Sequence, residues 1–197
     1  MNKHSLNNLK DYSVILASKS PRRQQLLSGM MIGFDIITKD VDESFPKDMP
    51  VEDIATFLCE IKANAFSKEE LPSNFLLITA DTIVVVENEV LNKPSDRIEA
   101  IAMLEKLSGR WHNVITGVCL RCQSKTTIFS ECSDVKFGTL TRKEISWYVD
   151  HYKPYDKAGA YGIQEWIGYI AIEAVKGSFY NVMGLPTHRL YEELKLF

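Results

Sequence analysis

The sequence is poor in cysteine, and its cysteines lack the spacing typical of disulfide frameworks or zinc sites. Only four occur among 197 residues. Cys119 and Cys122 form a C-x-x-C pair, but they lie in a strand-like segment, where residues three apart point to opposite faces. No second C-x-x-C and no Cys/His pair at zinc-finger spacing accompanies them. We therefore expect four reduced thiols and neither a disulfide framework nor a cysteine-bound metal.

The sequence also lacks an excess of positive charge and any long hydrophobic run. Its 23 Lys and Arg residues are outnumbered by 26 Asp and Glu, for a net charge of −3. A non-specific nucleic-acid binder needs a basic face, and a membrane-spanning helix needs about 20 consecutive apolar residues. The first residues lack the apolar stretch of a signal peptide. We therefore expect a cytoplasmic protein with neither a nucleic acid nor a membrane as partner.

Hydrophobic periodicity predicts alternating strands and helices, with no internal repeat or long linker. Predicted strands cover residues 13–18, 34–39, 75–86, 90–91, 113–122, 126–137 and 169–174. Helices are predicted over residues 21–29 and 51–67, from a capping box at Asp96 to residues 108–109, from a Thr141 cap to about residue 151, and after Pro186 to residue 194. This pattern predicts an α/β fold with a mixed sheet and helices on its faces.

Two arginines lie where a helix does not favour them. Arg22 and Arg23 fall in the first turn of the helix over residues 21–29, and the helix dipole disfavours cations at this end. Ser20 is a good N-cap, and Pro21 fits the first helical position. A phosphate held by backbone N–H groups, by the hydroxyls of Ser18 and Ser20, and by the guanidinium groups would remove the conflict. The alternative is a pair of surface arginines without a ligand.

Three further charged residues have both a plain and a functional interpretation. Asp81 interrupts the most apolar strand, so it is a hydrogen-bonded residue at a kink, or it is paired, metal-bound or lining a cleft. Lys62 lies at the edge of an apolar helix stripe, where a lysine extends to solvent or points into an anion-binding cleft. Glu43, next to Asp42, is either solvated or part of a divalent-metal site beside Asp81.

A glycine-spaced loop covers residues 156–164 and ends in Gln164. Glycines let the backbone approach a ligand closely, and a glutamine amide offers a donor and an acceptor to the edge of a base. Lys93, which precedes Pro94 after a predicted hairpin, adds another cation. Together with the acidic residues, these side chains supply cations for phosphates, carboxylates for a metal and for base catalysis, and an amide for a base.

The chain resembles the Maf family of nucleoside triphosphate pyrophosphatases, which share a fold with inosine triphosphate pyrophosphatases. The matching motifs appear in family order over nearly the whole chain, and their combination is far more specific than any one of them. They are residues 16–23 (LASKSPRR), 80–82 (ADT), 91–94 (LNKP), 107–110 (LSGR), His112, 116–117 (TG), 156–164 (DKAGAYGIQ) and 181–186 (NVMGLP).

The resemblance implies one domain over residues 1–197, with two lobes around a central cleft. It implies hydrolysis of the α–β anhydride of a nucleoside triphosphate, with Mg²⁺ or Mn²⁺, or Co²⁺ as a further candidate. In that scheme Asp81 is the proton acceptor, Glu43, Lys62 and Lys93 are the other charged catalytic positions, and Glu43 and Asp81 hold the metal. The implied substrate-binding and specificity positions are Ser18, Ser20, Arg22, Arg23, Thr82, Lys157 and Gln164.

Within the family, the chain resembles the dTTP/UTP branch, which carries Arg, Thr and Gln where this sequence has Arg22, Thr82 and Gln164. This implies a role in nucleotide-pool sanitation and a small-molecule nucleoside triphosphate as partner, and it allows a homodimer. The alternatives are a pyrophosphatase for modified purine nucleotides and a non-catalytic cell-division regulator. The sequence departs from many relatives by having Asn88 and Asn92 in place of glycine in the hairpin. It also has Glu165 where glycine is usual, which adds negative charge beside the loop.

Overall fold

A seven-stranded mixed sheet forms the centre of the protein. The structure, a computed structural model, describes residues 6–197. The strands follow the order β2-β1-β3-β5-β6-β7, and β4 pairs with β3. They are β1 (Ser13–Leu16), β2 (Asp35–Ile36), β3 (Phe75–Val86), β4 (Glu89–Leu91), β5 (Trp111–Arg121), β6 (Thr126–Phe137) and β7 (Ile172–Lys176).

The sheet combines parallel and antiparallel pairs, and α-helices alternate with its strands. Strand β1 pairs in parallel with β2 and β3, whereas β4 and β7 are antiparallel to β3 and β6. This confirms the predicted mixed α/β class. The helices are α1 (Pro21–Gly29), α2 (Val51–Asn64), α3 (Arg97–Leu107), α4 (Arg142–Tyr152), α5 (Trp166–Ala171), α6 (Phe179–Met183) and α7 (Thr187–Leu194). Over residues 6–197, none of the helices has the length and apolar character needed to cross a membrane.

The chain forms two compact units. The first contains the chain up to Asp81 together with Thr116–Glu131 and Gly184–Phe197, and the second contains Thr82–Ile115 and Cys132–Met183. Strands β3, β5 and β6 each contribute residues to both units. The single domain over residues 1–197 and its central cleft stay predictions, and residues 1–5 lie outside the described part of the chain.

Several predicted elements differ from the structure for identifiable reasons. The predicted strand over residues 34–39 is reduced to β2, because β1 ends at Leu16, which pairs with Ile36. The helix predicted over residues 51–67 ends at Asn64, and Ser67 instead caps a short 3₁₀ turn. Asp96 caps α3 as predicted, but the Glu99 carboxylate accepts from the backbone of Ser95 and not from that of Asp96.

The predicted strand over residues 169–174 is partly wrong. Residues 166–171 form helix α5, and the strand begins only at Ile172. Ile167 and Ala171, four residues apart, are both buried, whereas Tyr169 between them is exposed. This helical spacing prevails over the β-branched composition of the segment. The short helix α6 was not predicted.

Helix α2 packs directly on the sheet within the first unit. A Cβ on Gly117 of β5 would lie 2.2 Å from the backbone oxygen of Ala55 in α2. The hydroxyl of Thr79 in β3 donates to the backbone oxygen of Cys59, at 2.6 Å. Because α2 touches backbone on one strand and is hydrogen-bonded to another, its position relative to these strands is fixed.

In the second unit, the rings of Phe137 and Tyr161 pack edge to face against a buried histidine, His112. The Nε2 atom of His112 lies 2.7 Å from the hydroxyl of Tyr161, and its ring centroid is 5.0 Å from that of Phe137. The Nδ1 atom of His112 is buried and has no hydrogen-bond partner among the described residues. Burial lowers the pKa of His112 from its ordinary value of 6.5 to about 4.

We expect Gly117→Ala to lower the free energy of unfolding by about 2 kcal/mol, because the added methyl group must push α2 away from β5. Gly33→Ala is the matched control, since a Cβ at Gly33 meets nothing within 4 Å. Urea unfolding of both variants checks this. Equal stability of the two variants would contradict the close helix–strand contact.

We expect His112 to make the protein less stable as the pH falls from 6.5 towards 4. In this range the unfolded chain binds a proton that the native imidazole does not, so the free energy of unfolding decreases with decreasing pH. For His112→Gln, the decrease between pH 6.5 and 4.5 should be smaller by about 2 kcal/mol. Urea unfolding at both pH values measures it, and His188→Gln, at an exposed position, should behave like the wild type.

Candidate active site

The start of α1 is built as the sequence predicts. Ser20 is the N-cap, its hydroxyl accepts from the backbone N–H of Arg23, and Pro21 occupies the first helical position. The buried hydroxyl of Ser18 accepts from the backbone N–H of Ser20, at 3.2 Å. Each serine hydroxyl accepts one backbone N–H, so its own O–H remains able to donate to an anion.

Arg23 is oriented by a backbone contact within the first unit. Its Nε donates to the backbone oxygen of Gly184, at 2.8 Å. Burial lowers the pKa of the Arg23 guanidinium, the charges of Asp81 and Glu43 oppose this, and the neighbouring Arg22 adds to it. An arginine keeps its charge in a protein even so. The first turn of α1 therefore presents a fixed positive charge within electrostatic reach of two carboxylates.

Lys62 joins two carboxylates that are distant in sequence. Its ammonium donates to Oδ1 of Asp81 and lies 2.9 Å from Oε1 of Glu43. Asp81 lies in β3 with only 7% of its surface exposed, and Lys62 lies in the last turn of α2. Burying an unpaired charge costs free energy, and the pairing with Lys62 offsets this cost for Asp81. Lys62 thus points inwards, and the alternative in which it extends to solvent is wrong.

Glu43 and Asp81, the carboxylates of the Glu43–Lys62–Asp81 cluster, are the residues that could hold a divalent cation. Across residues 6–197, no three His, Cys, Asp or Glu side chains are grouped so as to hold a metal ion. Mg²⁺ does not need such a group, because it is commonly bound by one or two carboxylates, waters and substrate phosphates. Glu43 and Asp81, which both pair with the Lys62 ammonium, supply two such carboxylates. The metal-binding roles of Glu43 and Asp81 stay predictions.

The remaining predicted site residues belong to the second unit. Thr82 follows Asp81 directly in β3, and Lys93 is exposed just after β4. The backbone oxygen of Asn92, next to Lys93, accepts from the N–H of Gly159 in the loop over residues 156–164. Gly159 has φ +66°, and a Cβ there would lie 2.9 Å from Val84 of β3. Glycine at this position therefore lets the loop lie against both β3 and the segment of Lys93.

Lys157 is buried in that loop, and its charge is compensated. Only 8% of its surface is exposed. Its ammonium donates to Oδ1 of Asp156, at 2.7 Å, and lies 3.1 Å from Oε1 of Glu165. The hydroxyl of Tyr148 in α4 donates to the other oxygen of Glu165. The predicted substrate-binding role of Lys157 is untested, but its ammonium already pairs with two carboxylates.

Gln164 ends the loop with a buried acceptor. Its Oε1 atom is buried and has no hydrogen-bond partner in the part of the chain that the structure describes. A buried acceptor without a donor costs about 1–3 kcal/mol. The role of Gln164 in specificity stays a prediction.

The contact of Tyr148 with Glu165 was missed at the level of sequence. The sequence analysis indicates only the negative charge of Glu165 and assigns no role to Tyr148. The signal that could have found them is a tyrosine on the apolar face of α4, because a buried phenol needs a hydrogen-bond partner. Asn88, which stands where many relatives have glycine, has a left-handed backbone conformation with φ 65°. None of the four cysteines, which all lie in the described part of the chain, forms a disulfide.

Comparisons with known proteins identify the family of this chain. The family model described as Maf-like protein matches residues 13–197. A protein of Porphyromonas gingivalis (strain ATCC 33277) is 53% identical over 194 residues, covering 98% of each chain. A protein of Parabacteroides distasonis is 53% identical over 193 residues, covering 98% of this chain and all of the relative. A protein of Bacteroides thetaiotaomicron is 50% identical over 191 residues, covering 96% of this chain and 98% of the relative.

Each of these three relatives is named dTTP/UTP pyrophosphatase. The family match covers both compact units, from the start of β1 to the last residue, and so includes every predicted site residue described above. The chain belongs to the Maf-like protein family.

Proposed function

We propose that this protein is a nucleoside triphosphate pyrophosphatase that hydrolyses dTTP and UTP to the monophosphate and pyrophosphate. The observation that carries the proposal is the cluster in which Lys62 holds Asp81 and Glu43 together. Near full-length identity of about half to relatives named for this reaction supports the substrate assignment. Removing such triphosphates from the nucleotide pool is the cellular role that we propose.

Asp81 is suited to accept the proton of the attacking water. It is a carboxylate of low exposure, and its position is fixed by the Lys62 ammonium. In the proposed step, a water oxygen forms a bond to the α-phosphorus while Asp81 takes its proton. The bond from that phosphorus to the bridging oxygen breaks, and pyrophosphate leaves with the electron pair. Proton transfer to a positioned base contributes about 10²–10⁴-fold to such rates.

The cationic side chains are suited to stabilise the charge that develops on the leaving pyrophosphate. Arg22 and Arg23 lie at the start of α1, where backbone N–H groups and the hydroxyls of Ser18 and Ser20 would also donate to a bound phosphate. Lys62 keeps the carboxylates aligned, and we assign Lys93 to the phosphates as well. Preorganised donors of this kind are worth about 3–4 kcal/mol each in known enzymes.

We propose that Glu43 and Asp81 hold a divalent cation, Mg²⁺ or Mn²⁺, with Co²⁺ as a further candidate. When bound, such an ion neutralises phosphate oxygens and lowers the pKa of water. The two carboxylates and the substrate phosphates complete the ligand set that Mg²⁺ commonly takes.

Base selection is assigned to Arg22, Thr82 and Gln164. The Oε1 atom of Gln164 is a hydrogen-bond acceptor without a partner among the described residues. The N3–H group that uracil and thymine share is a hydrogen-bond donor that could supply that partner. We also propose that the protein acts in the cytoplasm, which fits a sequence with only four cysteines and no spacing typical of a disulfide framework. Its assembly as a homodimer stays a prediction.

We expect Asp81→Asn to lower kcat for pyrophosphate release from dTTP by about 10³-fold, because the amide cannot take the proton of water. The far-UV circular dichroism spectrum should be unchanged. Asp40→Asn is the matched control, since Asp40 is an exposed carboxylate of the same unit that pairs with Lys19. Wild-type turnover by Asp81→Asn would exclude the proposed role of this residue.

We expect Arg22→Ala to reduce base discrimination more than overall phosphate binding. The ratio of kcat/KM for dTTP to that for GTP should fall about tenfold. Arg23→Ala provides the contrast, since loss of a phosphate contact should lower kcat/KM for both nucleotides by a similar factor. A substrate panel with Mg²⁺, Mn²⁺ and Co²⁺ measures these ratios. A wild-type preference for modified purine nucleotides, or no turnover at all, would contradict the proposed function.

A further inference from the structure

The half-buried carboxylate of Glu165 packs against the loop over residues 156–164. Its side chain is 18% exposed. One oxygen accepts from the hydroxyl of Tyr148, and the other lies 3.1 Å from the ammonium of Lys157. Because Tyr148 belongs to α4 and Lys157 to the start of the loop, Glu165 connects the end of the loop to its beginning and to a helix.

The loop backbone closes around this carboxylate. A Cβ on Gly162 would lie 2.8 Å from the carboxyl carbon of Glu165 and 3.1 Å from each of its oxygens. The N–H of Gly162 donates to the same Tyr148 hydroxyl, at 3.1 Å. The absence of a side chain at residue 162 therefore provides the space that the carboxylate fills.

This side chain does not act as a helix cap. Glu165 occupies the N-cap position of α5, but its side chain makes no capping hydrogen bond there. Its polar contacts run instead to Tyr148 and Lys157. The contribution of Glu165 is thus to the conformation of the loop and not to the start of the helix that follows it.

Gln164 is the last residue of the loop, and it precedes Glu165 directly. Its backbone is held on one side by Glu165 and on the other by Ile163, whose side chain is buried. Its Oε1 atom is a buried acceptor with no partner among residues 6–197. A change at Glu165 that frees the loop end would therefore alter where this acceptor lies.

We propose that Glu165 is a positioning residue for base selection: it fixes the loop so that Gln164 Oε1 meets the imide N–H of a pyrimidine base. The inference rests on the proposed function. Uracil and thymine offer a donor at N3, whereas cytosine offers an acceptor at the same atom. A site in which the acceptor is held in place therefore favours UTP over CTP. A site in which the acceptor moves discriminates less between the two nucleotides.

The test compares steady-state kinetics of Glu165→Ala on UTP and on CTP with those of the wild type. We expect KM for UTP to rise and the UTP/CTP ratio of kcat/KM to fall about tenfold, with kcat for UTP changed less than about twofold. Glu165→Gln, which keeps an acceptor for the Tyr148 hydroxyl, should recover part of the ratio. Tyr148→Phe removes only the hydroxyl and should shift the ratio in the same direction as Glu165→Ala.

Glu144→Ala is the matched structural control. It removes a carboxylate from the capping box of α4, the helix that carries Tyr148, without touching the loop. We expect it to cost about 1 kcal/mol of stability and to leave the UTP/CTP ratio unchanged. Thermal unfolding of all variants separates loss of stability from loss of discrimination.

The outcomes distinguish the two proposals. An unchanged UTP/CTP ratio in Glu165→Ala, or a fall in kcat with KM unchanged for both nucleotides, would mean that Glu165 has a structural role only. If Glu165→Ala does not fold, Tyr148→Phe takes its place. An unchanged UTP/CTP ratio of kcat/KM in Tyr148→Phe then contradicts the inference. A wild-type protein that turns over neither UTP nor dTTP would overturn the proposed function itself.

Discussion

The pairing of Asp81 with Lys62 is the interaction on which the candidate site depends. A carboxylate in the middle of an apolar strand is unfavourable unless a cation reaches it. The only elements that can deliver that cation are those packed against the strand, and α2 does so from its last turn. The same ammonium reaches Glu43, so one lysine both neutralises a buried acid and gathers a second one.

This pairing in turn requires that α2 be held close to the sheet. Gly117 allows the helix backbone to touch β5, and the hydroxyl of Thr79 ties the helix to β3 two residues before Asp81. Neither residue takes part in the proposed chemistry. Both set the distance that the lysine side chain must cover, so the site is prepared by the packing of one helix on two strands.

Much of this could be predicted from local patterns. Strand β3 is a continuous apolar run, and its predicted bounds agree with the structure; α1 has an N-cap, a proline and a periodic stripe that define it equally well. Other features depend on partners far away in the sequence. Whether Lys62 extends to solvent or turns inwards is decided by Asp81, 19 residues away. Tyr148 and Glu165 are 17 residues apart, and the hydrophobic periodicity of the sequence does not indicate their contact. Helix α5 was obscured because its isoleucines favour strands in composition while their spacing is helical.

The space above Gly162 has a consequence for how this loop can change during evolution. A Cβ at residue 162 would displace the carboxylate of Glu165 from its present position, whereas with a glycine at residue 165 there would be nothing to displace. The effect of a substitution at one position therefore depends on which residue occupies the other. With Glu165 in place, a side chain at residue 162 costs the contacts of the carboxylate with Tyr148 and Lys157. The order in which the two substitutions arise therefore changes what each of them costs.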